Sequence, residues 1–267
     1  MSFKHKKKYG QNFLTDEKEI LEKIISVSNV NENDEVIEIG PGEGALTELL
    51  IDNAKRVCSF EIDEDLEKIL KKKFGNKENY TLVMGDVLDA DFNVHIKNSA
   101  KIVANIPYYI TSPIVDKILK NRKIITEAYI MVQKEVGERI CAKKGKERSV
   151  LTLAVEYFAD AKYLFTIPRE KFTPIPNVDS AFIAIKPYSE PKYEKLVSEE
   201  VFFKYVKAAF SSKRKNITNN LSTLNFSKEI IKEKLKSLGI SENERAENIS
   251  IEDFIKIIKS FEGENYE

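Results

Sequence analysis

The stretch Glu35-Val36-Ile37-Glu38-Ile39-Gly40-Pro41-Gly42-Glu43-Gly44-Ala45-Leu46-Thr47 carries the fold decision. Its first five residues form a mostly apolar run of strand length, the next five hold three glycines and a proline, and residues 45–51 resume a spacing suited to a helix. Strand, glycine turn and helix in immediate succession open a parallel βα unit. Outward from it the order repeats: 56–62 reads as a strand, 63–74 as a helix, 80–84 and 101–104 as strands, 112–119 as a helix and 128–133 as a strand. Upstream, within 16–27, Ile20, Leu21, Ile24 and Ile25 share one face of an amphipathic helix, with Thr15 or Asp16 as its cap. Downstream, 152–157 reads as a helix, and 161–167 and 181–185 as late strands joined across the proline-bearing stretch 172–176. The alternation predicts an α/β fold with a largely parallel, doubly wound, Rossmann-like sheet.

From about Pro191 only helical spacing remains, over 199–210, 216–223, 227–238 and 251–260, with Gly239 as the stop of the third helix. The expected organisation is an α/β domain over 1–190 and a smaller all-helical domain over 191–267, joined through 187–191.

With 267 residues the chain is long enough to bury about 70–75% of its unfolded surface. Hydrophobic residues make up 42% and charged residues 32%, and no run approaches the roughly 18 apolar residues of a spanning helix, so disorder and membrane insertion are both disfavoured. Lys4, Lys6, Lys7 and Lys8 are not followed by the apolar segment that a secretory signal requires. Two cysteines, Cys58 and Cys141, and two isolated histidines suggest neither a disulfide framework nor a metal site, and a reducing cytoplasm fits.

A net charge of zero conceals blocks of opposite sign. Residues 31–65 hold eleven acids against Lys55 and Arg56, whereas 202–219 hold Lys204, Lys207, Lys213, Arg214 and Lys215 and no acid. Either basic run alone reads as a solvated face. Two of them, at opposite ends of the chain, point to a polyanionic partner.

Glycines after a first strand let backbone approach a ligand closely. Gly40-x-Gly42-x-x-Ala45 satisfies the dinucleotide fingerprint, and Glu61, about twenty residues on, is placed to accept ribose hydroxyls, so NAD has to be weighed. Against it, Glu43 would sit beside a pyrophosphate, and the surrounding segment is acidic where an anionic cofactor would bind. S-adenosylmethionine, a sulfonium without phosphate, suits this loop better. Asp86, after the third strand, is then placed to accept from the adenine amine; as a turn residue it would serve equally well.

Asn105-Ile106-Pro107-Tyr108 follows the fourth apolar strand, so it should face the same crevice beyond the strands' carboxyl ends. An adenine amine is a poor nucleophile because its lone pair is delocalised into the ring. Acceptors for both its protons, the Asn105 side-chain oxygen and the Ile106 carbonyl, would favour the pyramidal amine and aim its lone pair at a sulfonium methyl. Pro107 sets the turn, and Tyr108 would stack on a base taken out of its helix.

These motifs, together with Lys8-Tyr9-Gly10-Gln11-Asn12-Phe13-Leu14, Phe172-Thr173-Pro174-Ile175-Pro176-Asn177-Val178-Asp179-Ser180 and Ala209-Phe210-Ser211-Ser212-Lys213-Arg214-Lys215, strongly resemble the ribosomal RNA small-subunit adenine N6-dimethyltransferase family over nearly the whole chain. The resemblance implies an S-adenosylmethionine site lined by Asn12, Leu14, Gly40, Gly42, Glu61, Ile62, Asp86, Val87 and Asn105, with S-adenosylhomocysteine as product. It implies that Phe172 sandwiches the adenine opposite Tyr108, although from the residues alone Phe172 is equally a core side chain. The implied catalytic part is 1–190 and the rRNA-binding part 191–267. The implied substrate is a pair of adjacent adenines in the 3′-terminal hairpin of 16S rRNA in immature 30S particles, each dimethylated by what is expected to be a cytoplasmic monomer. Tyr109 departs from the family pattern, where an asparagine often follows the tetrapeptide. The macrolide-resistance methyltransferases of the large subunit share the loop and tetrapeptide, but 210–221 and 245–250 resemble the small-subunit branch. A non-catalytic ribosome-assembly factor is the alternative from another class. With seven arginines among 43 basic residues, phosphate contact by lysine point charges is expected over bidentate base reading.

Overall fold

The computed structural model describes residues 13–14, 18–190 and 192–263. One sheet holds seven strands: β1 (Glu35–Ile39), β2 (Arg56–Glu61), β3 (Tyr80–Met84), β4 (Ala100–Asn105), β5 (Ile125–Gln133), β6 (Ala159–Ile167) and β7 (Ser180–Pro187). Their order is β3-β2-β1-β4-β5-β7-β6. β1 pairs parallel with β2 and β4, β2 with β3, and β4 with β5. All five residues of β1 are buried, as a central parallel strand covered on both faces requires. β7 runs antiparallel to β5, with Gln133 opposite Ser180 and Ala128 opposite Ile185. Its first residue therefore lies at the edge where β5 ends, which is also the edge where β1 and β4 release the glycine loop and the tetrapeptide.

The helices are α1 (Lys18–Ser28), α2 (Ala45–Asn53), α3 (Glu64–Phe74), α4 (Thr111–Lys120), α5 (Lys134–Cys141), α6 (Val150–Phe158), α7 (Glu199–Ala209), α8 (Ile217–Leu221), α9 (Lys228–Ser237) and α10 (Ile251–Glu262). Asp63 caps α3 by accepting the Asp65 N–H, and acids in the first turn with lysines in the last complement the helix dipole. The caps expected for α1, Thr15 and Asp16, lie outside the described residues. Three elements were not expected from the sequence: α5, a four-residue helix at Phe92–His95, and an antiparallel pair between Phe13–Leu14 and Phe172–Thr173. Gly137 lies within α5 as a packing residue, because a Cβ there would come 2.7 Å from the Ala181 Cβ.

The chain divides into two compact units. The first runs up to Gly137 and resumes over Ala161–Pro187; the second takes Glu138–Asp160 and the chain from Tyr188 onward. This corrects the expected division into 1–190 and 191–267, since 138–160 groups with the C-terminal helices. The reason is aromatic and ionic packing within the second unit. The Tyr157 ring stacks on Phe202 with centroids 4.4 Å apart, and its hydroxyl donates to the Val197 carbonyl at 2.6 Å. Arg148, 1% exposed, donates to the Glu156 carboxylate and to the Ile249 carbonyl. The core of the first unit joins α1, α2 and α3 to the sheet through Ile24, Leu50, Leu70, Val36, Val103 and Phe182.

Candidate functional site

The glycine loop turns on left-handed backbone: φ is 69° at Gly40, 60° at Gly42 and 88° at Gly44. At Gly44 the requirement is double, because a Cβ would also lie 2.4 Å from Cε2 of Phe74. Gly44 N–H donates to the Pro41 carbonyl at 2.9 Å, and Lys73 Nζ donates to the Glu43 carbonyl at 2.7 Å. Buried Glu61 ends β2 and faces this loop. Its Oε1 accepts the Ile62 and Asp63 N–H groups, both at 2.9 Å, and its Oε2 accepts the Gly42 N–H at 3.3 Å. Burial raises its pKa above the ordinary value, with Asp63 adding to the rise and the three backbone bonds opposing it.

Behind the loop, Glu38 Oε2 accepts from Thr47 Oγ1 at 2.8 Å and from Ser59 Oγ at 2.6 Å. Full burial pushes this carboxyl up to about 7, against the two hydroxyl bonds and with a further rise from Glu61. Asp86 Oδ1 accepts the Leu88 N–H at 2.8 Å, so the turn role is present, and its other oxygen makes no protein bond among the described residues. Lys117 of α4 braces the same segment through the Leu88 and Ala90 carbonyls, at 2.9 and 2.6 Å. Ile62 is exposed and Val87 buried.

The tetrapeptide adjoins the loop. A Cβ on Gly40 would lie 3.6 Å from the Asn105 carbonyl oxygen and 4.0 Å from Pro107 Cδ. Asn105 is half-buried at the end of β4, Ile106 is buried, and Pro107 leads into a 3-10 turn over Tyr108–Ile110. The Tyr108 hydroxyl lies 2.6 Å from Ser180 Oγ, and Thr111 Oγ1 donates to the Tyr108 carbonyl at 3.0 Å. Burial raises the Tyr108 pKa, so the phenol stays protonated at neutral pH. The structure thus brings Gly40, Gly42, Glu61, Asn105, Ile106, Pro107 and Tyr108 together. Phe172 is 1% exposed and sits in the hydrophobic core with Leu14, Ile167 and Phe182, the core placement its residue type equally allows. Its backbone pairs with that of buried Leu14. Asn12 lies outside the described residues.

On the helical unit, Lys204, Lys207, Lys213, Arg214 and Lys215 are exposed. Lys204 pairs with Glu262 at 3.5 Å; among the described residues the other four meet no carboxylate. Buried Asn220 donates to the Ala209 and Ser212 carbonyls, at 2.6 and 3.0 Å, and so fixes the turn that presents 213–215. Lys4, Lys6, Lys7 and Lys8 lie outside the described residues. Among those residues no group of His, Cys, Asp and Glu is arranged to hold a metal, and no helix is long and apolar enough to cross a membrane.

Residues 2–263 match the family described as ribosomal RNA adenine dimethylase. The chain belongs to that family. A relative from Fusobacterium nucleatum named ribosomal RNA small subunit methyltransferase A is 66% identical over 263 residues, 98% of this chain and 100% of the relative. One of the same name from Caldanaerobacter subterraneus is 43% identical, covering 95% of this chain and 96% of its own. Among solved structures, a dimethyladenosine transferase from Plasmodium falciparum is similar with a TM-score of 0.78 and 28% identity, covering 94% of this chain and 98% of its own. The 23S rRNA methyltransferase ErmE is similar with a TM-score of 0.76 and 27% identity, over 94% of this chain and 100% of its own. The fold and its membership of an rRNA methyltransferase family thus agree with the reading of the motifs.

Three groups in this dimethylase had no role assigned from the sequence: Glu38, Ser180 and Asn220. Glu38 was legible only as a charged residue inside an apolar strand, a pattern that marks a buried, hydrogen-bonded carboxyl. Ser180 and Asn220 carry no local signal, since their partners are 72 and 11 residues away.

Proposed function

We propose that this chain transfers methyl groups from S-adenosylmethionine to the N6 amines of two adjacent adenines in the 3′-terminal hairpin of 16S rRNA. It dimethylates each, acting as a cytoplasmic monomer on immature 30S particles. The observation that carries the reading is the contact of the tetrapeptide backbone with the glycine loop. A methyl donor seated in the loop then lies beside Asn105.

The donor set fits a cationic cofactor without phosphate. The Gly42 and Gly44 N–H groups, which a pyrophosphate would need, are already engaged by Glu61 and by the Pro41 carbonyl. Three of the roughly four acceptor positions of the Glu61 carboxylate are taken, leaving one for a ribose hydroxyl and a second if the 3.3 Å bond to Gly42 yields. Asp86 holds its second oxygen for the adenine amine. When bound, S-adenosylmethionine supplies an electrophilic methyl on a sulfonium.

The chain's part is to bind and to orient. Tyr108 stacks on the flipped base. Asn105 Oδ1 and the Ile106 carbonyl accept the two amine protons, which favours the tetrahedral nitrogen and directs its lone pair outward. No general base with a matched pKa is required, because a proton is acidic once the nitrogen carries positive charge. It leaves along the acceptor it already touches. Lys207, Lys213, Arg214 and Lys215 meet phosphates, with Lys4, Lys6, Lys7 and Lys8 as a second basic contact.

The small-subunit reading is favoured over the large-subunit one by the 66% and 43% identities to relatives named for the small subunit, against 27% to ErmE. The test is incubation with radiolabelled methyl donor and under-methylated 30S particles, followed by mapping of the label. Two adjacent adenines in the hairpin should carry it; label confined to 23S rRNA, or binding of NADH without S-adenosylhomocysteine, overturns the assignment. Particle binding should weaken with added salt. Replacing Lys213, Arg214 and Lys215 by alanine should flatten the log–log slope by about 0.7–0.9 per lost phosphate contact.

A further inference from the structure

We propose that Ser180 is a positioning residue for methyl transfer: its hydroxyl, bonded to Tyr108, anchors the far end of the ring on which the target adenine stacks. The proposal rests on the base-stacking reading of Tyr108. The phenol oxygen lies on the axis of a tyrosine's second side-chain torsion, so a bond there leaves the spin of the ring to packing and instead fixes where the ring's long axis points, through the first torsion. A bond at the para end acts with the longest lever on that direction. The 2.6 Å contact to Ser180 Oγ is the hydroxyl's bond, and the chain around Ser180 holds it in place.

Ser180 is 0% exposed and opens β7 opposite Gln133 in the antiparallel ladder. The preceding Asp179 is held twice, its carbonyl accepting the Lys134 N–H at 2.9 Å and its Oδ1 accepting the Arg169 N–H at 3.2 Å. A buried serine hydroxyl needs a partner, and among the described residues Tyr108 is that partner. Strand direction makes the pairing possible. Were β7 parallel to β5, its first residue would lie at the far edge of the sheet, away from Tyr108. On the tyrosine side, the Thr111 bond and the 3-10 turn fix the backbone, and the Ser180 bond holds the opposite end of the side chain. Asn105 grips the amine only three residues earlier, so a tilted ring displaces the nitrogen from its acceptors. Misplacements of about an ångström cost up to 10²-fold in rate.

The test is a thermodynamic cycle on the full-length protein with 30S particles, using Ser180→Ala, Tyr108→Phe and the double variant, with Tyr108→Ala as a separate arm. Each single change should lower kcat about tenfold with the KM for particles altered less than about threefold, because the stacking surface remains. The double variant should be no worse than either single one. Unimpaired kcat in Ser180→Ala overturns the proposal, as does a serine effect of equal size with and without the tyrosine hydroxyl. Should Ser180→Ala fail to fold, as melting and S-adenosylhomocysteine binding would reveal, Tyr108→Phe breaks the same bond from the other side, and full kcat there overturns the proposal. Tyr108→Ala separates the two readings. Inactivity there with an unimpaired Ser180→Ala removes only the positioning role, whereas full activity removes the stacking role and the positioning role with it.

Discussion

Around the glycine loop the site is shaped by main-chain N–H groups and buried carboxyls; around the tetrapeptide it is shaped by side-chain hydroxyls, an amide and a proline turn. In the first region Gly42, Ile62 and Asp63 all bond to Glu61, while Glu38 ties α2 to β2 from behind. In the second, the observed side-chain bonds are those of the Tyr108 hydroxyl with Ser180 Oγ and of Thr111 Oγ1 with the Tyr108 carbonyl, beside Asn105 at the end of β4. The difference teaches where each kind of change will register. Alterations near the loop act on folding and cofactor affinity. Alterations near the tetrapeptide act on turnover.

The largest effect expected from this contrast is at Asn105. Asn105→Ala should lower kcat by about 10²–10³, the range for loss of one preorganised hydrogen-bonding group at a reacting centre, as measured by methyl incorporation. S-adenosylhomocysteine affinity should change far less, and an equal loss of both would dissolve the distinction between the two regions. Gly44→Ala tests the other side. With φ at 88° and Phe74 2.4 Å from the new Cβ, it should cost about 2–4 kcal/mol of folding stability in denaturant titration.

Glu38 gives the loop side a pH signature. Its folded pKa of about 7 lies above its ordinary 4.5, so between these values the folded state binds more protons than the unfolded one. Its stabilising contribution is complete below 4.5 and fades as pH rises through about 7, by up to about 3 kcal/mol. Glu38→Gln should flatten that part of a melting profile, and an unaltered slope would show that the carboxyl is ionised throughout. Gly137→Ala presses on the second region from beneath, with its Cβ 2.7 Å from that of Ala181 at the start of β7. It should cost about 1–3 kcal/mol by thermal melting and lower turnover with it.

The parts legible in the sequence are those whose signal is local. β1 and β3 fall on the residues expected, because apolar runs bounded by glycine or asparagine mark strands. The loop was legible because it follows a strand end, and Glu61 and the tetrapeptide because Glu61 and Asn105 each end a strand. What escaped depends on distant partners. Four residues at Phe92–His95 are too few to show a period, and Gly137 reads as a helix breaker until Ala181 is packed against it. Phe13 and Thr173 pair across the whole unit without any pattern of their own. Phe172 carried two readings in one residue type, and no local pattern separates them. The grouping of 138–160 with the C-terminal helices rests on Tyr157, Phe202, Arg148 and Ile249, contacts that no local period announces.

Because the helical unit is assembled from two separate stretches of chain, it is not a cassette. A gene truncated after codon 190 would keep Tyr157 and Arg148 yet delete Phe202 and the Ile249 carbonyl, leaving an aromatic ring and a guanidinium stranded on a surface prone to aggregation. Exchanging the tail between relatives should therefore succeed only when residues 138–160 travel with it.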